Sequence, residues 1–146
     1  MHYFLDIDGV LNKKSDWSKR YYINPACLSA FKKLLSYDSN PTVVLSSTWR
    51  RGVSKSNPFS SDSDLLSVVE KEGIHISDTT PYAPGKTRLE EIDYYVRRHG
   101  VKKFVVLDDD ESLFPGSESF PLYLVNFRTG LTDKDVEKIR RKYLWT

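Results

Sequence analysis

Two aspartates separated by one residue, Asp6 and Asp8, follow a short apolar run near the start of the chain. Because side chains alternate along a strand, an Asp-x-Asp pair at a strand end can direct both carboxylates to one point above the edge of the sheet. Two carboxylates in that position suit a hard cation such as Mg²⁺, and one of them can attack an electrophile. The pair therefore predicts a metal site with a carboxylate nucleophile, provided that the rest of the chain supplies matching groups.

Matching polar groups follow or precede the other apolar elements of the chain. Each alone is a common turn or cap residue, but successive acids repel one another unless a cation or solvent separates them. Ligands of parallel α/β sheets bind outside the carboxyl ends of the strands, so we expect these groups to meet there. They are Ser46 and Ser47 after the second apolar run, Lys86 and Arg88 at a helix start, and Asp108 and Asp109 after the fourth run.

The elements that must position these groups alternate between strands and helices, which is typical of a parallel sheet wrapped by helices. We predict strands over 3–7, 42–46, 74–76, 103–107 and 122–125. Predicted helices begin at Pro25 and Arg88, a short one includes 65–69 and stops at Gly73, and Thr132 caps the last one. A loop runs from 47 to about 61, and residues 1–146 form a single domain.

Composition narrows the class of protein. The 146 residues are 39% hydrophobic and 29% charged with a net charge of +2, which argues against disorder and against a membrane span. The single cysteine, Cys27, excludes an internal disulfide, and we predict that it lies in the core. Since neither a signal nor a transit peptide precedes the first strand, we expect a cytoplasmic protein. We also expect it to be a monomer.

The order of these motifs resembles the haloacid dehalogenase (HAD) superfamily, a group of mostly Mg²⁺-dependent phosphohydrolases. The four motifs of that superfamily match LDIDGV at 5–10, VVLSS at 43–47, a basic residue at 86 or 88, and VVLDD at 105–109. The strings FLDIDGVLN, LSSTWR and VVLDDD are similar to the branch associated with RNA-repair proteins, the Swiss Army Knife group. The resemblance spans essentially the whole chain and implies a three-layer, Rossmann-like α/β HAD fold with a mostly parallel central sheet.

The resemblance also implies roles for the two early aspartates and for a metal. Asp6 would attack phosphorus and form an aspartyl-phosphate, while Asp8 would act as general acid and then as general base. Mg²⁺ would be held by the Asp6 carboxylate, the Asp8 backbone carbonyl, and Asp108 or Asp109.

Two roles stay open between neighbouring residues. Ser46 or Ser47 would donate a hydrogen bond to a phosphoryl oxygen, and Lys86 or Arg88 would neutralise charge on the phosphoryl group. The pattern R-x-x-E-I at 88–92 favours Arg88, but Lys86 follows Gly85 and can reach the site as well. A further acid, Asp110, is interpreted as solvated.

The spacing of the motifs leaves little room for a cap domain. Fifteen residues, Gly9 to Ile23, separate Asp8 from the predicted N-cap Asn24, and a helix and a strand use much of the stretch between the second and third motifs. We therefore predict a capless enzyme with an open cleft, which favours a bulky phosphate substrate.

The open cleft and its loops narrow the predicted function. Basic and aromatic residues follow the first two strands: Lys13, Lys14, Trp17, Lys19, Arg20, Tyr21, Tyr22, Trp49, Arg50 and Arg51. Such loops can stack bases and hold phosphates, although the aromatic rings can equally pack beneath the loops. The predicted function is a Mg²⁺-dependent phosphomonoester hydrolase acting on a polynucleotide end or another bulky phosphate. The alternative is a non-catalytic phosphate- or Mg²⁺-binding module with the same fold.

Overall fold

The computed structural model describes residues 1–19, 22–46 and 64–144. Within these residues, a five-stranded sheet has the order β3-β2-β1-β4-β5, and every neighbouring pair is parallel. This arrangement confirms the predicted Rossmann-like α/β class. The strands are β1 (His2–Leu5), β2 (Thr42–Leu45), β3 (Asp78–Thr79), β4 (Phe104–Asp108) and β5 (Leu122–Leu124).

Helices connect the strands and cover the sheet. They are α1 (Pro25–Ser36), α2 (Asp64–Lys71), α3 (Arg88–His99) and α4 (Asp133–Ile139), and a π-helical segment, Arg140–Leu144, continues α4. Short 3₁₀ turns occupy Lys14–Asp16, Glu111–Leu113 and Ser117–Ser119. No helix in the described part of the chain has both the length and the apolar character needed to cross a membrane.

The helix starts follow the cap signals of the sequence. The Asn24 side chain accepts hydrogen bonds from the backbone of Ala26 and Cys27 ahead of α1. Thr87 and Glu90 form a reciprocal capping box at the start of α3, and Gly100 ends that helix in the left-handed conformation. These local bonds fix where α3 begins, and so they fix the position of its first residue, Arg88.

Alternation along the central strands divides the core into two layers. Tyr3 and Leu5 of β1 pack on the side of α1 and α4, where the buried thiol of Cys27 also lies. Phe4, between them in sequence, packs on the other side against Ile92 of α3. Because each buried aliphatic or aromatic side chain contributes roughly 1.5–3 kcal/mol, both layers hold β1 firmly in the middle of the sheet.

The predicted third strand over 74–76 is wrong. In the described residues, the pairing with β2 involves only Asp78 and Thr79. Just before this strand, the Ser77 backbone N–H donates to Val43 O at 2.9 Å. Ile74 and Ile76 are buried in the core, so these apolar residues contribute to core packing and not to a strand. At the opposite boundary, β4 extends one residue beyond its predicted end and includes Asp108.

The chain changes direction across the sheet between β1 and β4. From β1 the chain moves through β2 to β3 on one side, whereas β4 and β5 lie on the other side of β1. In open α/β sheets, the crevice at such a point, outside the carboxyl ends of the strands, is the usual ligand site. The residues that follow β1 and end β4 therefore face the same crevice.

The loop after β5 packs tightly against the loop after β1. Gly130 has a positive φ of 64°, and a Cβ atom there would lie 2.5 Å from the Cys27 sulfur and 2.9 Å from the Asn12 carbonyl oxygen. Leu131 N also donates to Val10 O at 2.8 Å. A residue with a side chain at 130 would force these two loops apart.

We expect Gly130→Ala to destabilise the protein by roughly 2–4 kcal/mol, because left-handed strain adds to a steric clash. Gly100→Ala is a matched control, since Gly100 has a similar φ of 61° but no atom within 4 Å of the added Cβ. It should lose only about 1 kcal/mol. Urea denaturation measures both variants, and equal losses would contradict the proposed close approach.

Candidate active site

Three carboxylates meet at the carboxyl ends of β1 and β4. Leu5 pairs with Leu107 in the sheet, and Asp6 N continues the ladder by donating to Leu107 O at 3.0 Å. This register sets Asp6 beside Asp108, and Asp109 follows. One carboxylate oxygen from each of the three lies within 4.8 Å of the others. Of these residues, Asp6 is 5% and Asp108 0% exposed.

A glycine makes room for the third carboxylate. Gly9 adopts a φ of 84°, and a Cβ atom at this position would collide with the carboxylate of Asp109. The glycine of the Asp-x-Asp-Gly motif therefore serves two needs at once: a backbone turn that L-residues rarely adopt and space for an acid from another strand. The first motif and the acids at the end of β4 were both predicted as site segments from the sequence, and the structure shows that Gly9 of the one packs against Asp109 of the other.

Arg88 neutralises part of the acidic cluster. As the first residue of α3, it donates from Nη1 to Asp108 Oδ2 at 2.7 Å and lies 3.5 Å from Asp6 Oδ1. Burial works against its charge, but the carboxylates of Asp6 and Asp108 raise the pKa of Arg88. This guanidinium therefore bridges the two strand ends as a permanent cation.

Lys86 is not brought to the acidic cluster. Its side chain is 60% exposed and its ammonium group lies 3.7 Å from Glu90, one helical turn onward. The sequence left Lys86 and Arg88 as alternatives for the basic site residue, and the described geometry favours Arg88. The position of the helix start decides this, because Arg88 directly follows the N-cap Thr87 and reaches Asp6 and Asp108.

The electrostatics of the cluster favour a bound cation. Burial, followed by the charge of Asp108, raises the pKa of Asp6 well above its ordinary value even though Arg88 opposes the shift. Burial also raises the pKa of Asp109. One guanidinium cannot balance three carboxylates at this separation. Carboxylate oxygens are hard donors, so Asp6, Asp108 and Asp109 fit Mg²⁺.

Asp8 lies in a different environment from Asp6. Its side chain is exposed, its Oδ1 atom accepts a hydrogen bond of 2.9 Å from Asn12 Nδ2, and its carboxylate is not part of the three-carboxylate cluster. A metal role for Asp8 would therefore use its backbone carbonyl, as the sequence analysis expected. Asn12 was not predicted as a site residue, although its place in FLDIDGVLN, four residues after Asp8, offered a signal.

The serine motif is described only in part. Ser46 is fully buried, and its backbone N–H donates to Leu5 O at 3.0 Å, which places it at the end of β2 beside Asp6. Ser47 lies outside the described residues, so the choice between the two serines remains a prediction. Asp110 is exposed, as expected, but its side chain also caps the 3₁₀ turn by accepting from Ser112 N at 3.1 Å.

A stacked pair of rings stands next to the Asp8 loop. Trp17 and Phe127 stack with centroids 5.9 Å apart, and Lys14 and Arg128 each lie 5.8 Å from the Phe127 ring centre. Trp17 is 45% exposed, so it is not packed beneath the loop. The predicted loop residues Arg20, Tyr21, Trp49, Arg50 and Arg51 lie outside the described residues.

Comparisons with known proteins agree with this geometry. A family model described as "HAD domain in Swiss Army Knife RNA repair proteins" matches residues 3–136. The match includes both aspartates of the first motif, Arg88 and the acids at the end of β4. No curated protein and no solved structure matches the chain significantly.

We expect Asp6→Asn to stabilise the metal-free protein at neutral pH. Because the pKa of Asp6 is raised in the folded state, wild-type stability should fall as the pH rises from the ordinary carboxyl range through that raised pKa. The variant lacks this dependence, so its stability advantage over the wild type should grow as the pH rises toward 7.5. Denaturation in chelator between about pH 4 and pH 8 measures the difference.

The control for this measurement is Asp93→Asn on α3. Asp93 is a partly exposed acid paired with the exposed Arg97 at 3.1 Å, so its loss should change stability by less than about 0.5 kcal/mol at any pH. Parallel stability curves for the wild type and Asp6→Asn would show that the cluster does not raise the pKa of Asp6.

Proposed function

Because the chain belongs to the family of HAD domains in Swiss Army Knife RNA repair proteins, we propose that it is a Mg²⁺-dependent phosphomonoester hydrolase with an aspartyl-phosphate intermediate. The family supports a phosphatase-type hydrolase, and the finer assignment rests on one observation. Asp6, Asp108 and Asp109 converge within 4.8 Å while Arg88 contacts two of them.

Asp6 is the proposed nucleophile. Its carboxylate attacks phosphorus, a bond forms between its oxygen and phosphorus, and the ester bond to the leaving oxygen breaks. Arg88, 3.5 Å from Asp6 Oδ1, orients this carboxylate and offsets charge on the incoming phosphoryl group. Mg²⁺, held by Asp6, the Asp8 carbonyl, and Asp108 or Asp109, would screen the repulsion between the nucleophile and the phosphate.

Asp8 is the proposed general acid and base. It donates a proton to the leaving oxygen in the first step and accepts a proton from water in the second, when water attacks the phosphorus of the aspartyl-phosphate. Its exposed side chain suits a group that must meet both a leaving group and water. A serine at the end of β2, Ser46 or Ser47, would donate a hydrogen bond to a phosphoryl oxygen.

The proposed substrate is the phosphorylated end of a polynucleotide. The Trp17–Phe127 stack offers an exposed ring face for a base, and Lys14 and Arg128 flank it with positive charge. Trp17 donates to Asn12 Oδ1 at 3.0 Å, and Asn12 donates to Asp8, so the stack lies two hydrogen bonds from the general acid. Other bulky phosphates, including a phosphoprotein, are the competing substrates.

Mg²⁺-dependent phosphate release tests the enzyme class. The panel contains an aryl phosphate, nucleotides, and oligonucleotides with a 3′- or 5′-phosphate. We expect Asp6→Asn to reduce turnover by at least about 10³-fold, because the nucleophile is lost. A fully active Asp6→Asn protein would contradict the nucleophile assignment, and a wild type silent across the panel would favour the non-catalytic binding module.

Two basic residues near the start of α3 provide a matched comparison. Arg88→Ala should lower kcat by about 10²-fold, since it removes a buried charge that contacts Asp6 and Asp108. Lys86→Ala should stay within about twofold of wild type, because its ammonium group is exposed and pairs with Glu90. The reverse ranking would assign the basic role to Lys86.

Charge removal tests the polynucleotide proposal. Replacing both Lys14 and Arg128 by alanine should raise KM for phosphorylated oligonucleotides and lower the salt slope by about 0.7 for each lost phosphate contact. KM for an aryl phosphate should not change. The control is the double alanine variant of Lys102 and Lys103, two exposed lysines at the amino end of β4 and thus at the opposite edge of the sheet. Equal effects of the two double variants would contradict the proposed surface.

A further inference from the structure

We infer that Asn12 is a positioning residue for Asp8, and that it determines which oxygen of Asp8 carries the transferred proton. The inference rests on the proposed function, because it assigns a role within the same site. Asn12 is only 2% exposed, so it has no direct path to a bulky substrate and acts through Asp8.

The Asn12 side chain uses its full hydrogen-bonding capacity. Its Oδ1 atom accepts from Gly9 N (2.9 Å) and from Trp17 Nε1 (3.0 Å). Its Nδ2 atom donates to Asp8 Oδ1 (2.9 Å) and to Tyr22 O (2.9 Å). An amide has two donor hydrogens and two acceptor lone pairs, so all four are satisfied in one orientation.

That orientation is dictated by partners that cannot reverse their roles. The Gly9 backbone N–H and the Trp17 indole N–H only donate, and they therefore require the Asn12 oxygen. The Tyr22 carbonyl only accepts and therefore requires the amide nitrogen. Flipping the amide would leave all three partners unsatisfied, at about 1–3 kcal/mol for the buried Gly9 N–H alone. The group that faces Asp8 is consequently always an N–H donor.

A fixed donor makes the two oxygens of Asp8 unequal. Because Asp8 Oδ1 accepts from Asn12 Nδ2, we assign the proton of the acid form to Oδ2 in the proposed mechanism. In the first step this proton passes from Oδ2 to the leaving oxygen as the phosphorus–oxygen bond breaks. In the second step Oδ2 takes a proton from the water whose oxygen bonds to phosphorus, which restores the acid form. Asn12 thus keeps the Asp8 carboxyl group in one orientation during both steps.

The backbone around Asn12 is anchored to other parts of the fold. Asn24 N donates to Leu11 O at 2.8 Å, and Lys14 N donates to Phe127 O at 2.9 Å. The Asn12 carbonyl itself packs against Gly130. The loop that carries Asn12 is therefore held by hydrogen bonds both before and after this residue, at Leu11 and at Lys14. A positioning residue requires such a rigid support.

Dependence on the leaving group tests this role. Protonation matters for the poor leaving group of an alkyl phosphate, but hardly matters for 4-nitrophenol, which leaves as a stable anion. We expect Asn12→Ala to lower kcat/KM by about 10²-fold for the alkyl ester and by less than about threefold for 4-nitrophenyl phosphate. Because kcat/KM reports only the first step, slowed hydrolysis in the second step should appear separately, as a burst of nitrophenol.

The controls separate positioning from folding. Asp8→Asn gives the full loss, and the Asn12→Ala, Asp8→Asn double variant should lose no more than Asp8→Asn alone. Asn126→Ala removes another asparagine, whose Oδ1 atom accepts from Arg128 N at 2.9 Å, and should leave both esters unchanged. Asn12→Asp keeps the acceptor for Gly9 and Trp17, and it replaces Asn12→Ala if the alanine variant does not fold.

Three outcomes would overturn the inference. Equal losses for the two esters would show that Asn12 supports the fold only, and unchanged activity would show that Asp8 needs no positioning. An additive double variant would mean that Asn12 does not act through Asp8. Failure of the proposed function looks different, because the wild type would then release no phosphate from either ester, and there would be no leaving group to protonate.

Discussion

Repulsion among three carboxylates at the end of a buried strand pair is the constraint on which the site depends. Asp6 and Asp108 are brought together by the parallel register of β1 and β4, and their burial weakens the screening of their charges by solvent. The guanidinium of Arg88, the first residue after the cap of α3, offsets part of this repulsion. Gly9 lacks a side chain and so leaves space for the carboxylate of Asp109 beside the loop after β1. What remains unbalanced is negative charge, and a divalent cation would complete the arrangement.

The Asp-x-Asp spacing places two chemically identical side chains in opposite surroundings. Asp6 is held inside, against Arg88, with a pKa raised first by burial. Asp8, two residues later, is exposed and held by a neutral amide. Different environments allow two carboxylates to perform different tasks, which here are the proposed nucleophilic attack and the proposed proton transfer. Two residues of chain beyond the end of β1 are thus enough to give the two carboxylates different surroundings.

Sequence patterns predicted the features that depend on local rules or on strand ends. The caps at Asn24 and Thr132, the terminator Gly100, the buried Cys27 and the convergence of Asp6 with Asp108 all follow from such rules, and the structure confirms them. The third strand was misplaced because Ile74 and Ile76 are buried without pairing. Arg88 could not be separated from Lys86, since that choice depends on the direction of a helix relative to β4. Asn12 was missed because its partners, Gly9, Trp17 and Tyr22, become neighbours only when the loop closes.

The bonds between the loop after β1 and the segment after β5 have a consequence for the order in which the protein is made. Val10 accepts from Leu131, Lys14 donates to Phe127, and Gly130 fits against Asn12. The Asp-x-Asp motif leaves the ribosome before the segment after β5, yet the loop that carries Asp8 cannot form these bonds until residue 131 has left the exit tunnel. The two aspartates of the first motif are therefore synthesised before the segment that holds their loop, so a nascent chain carries an incomplete site until that segment has emerged.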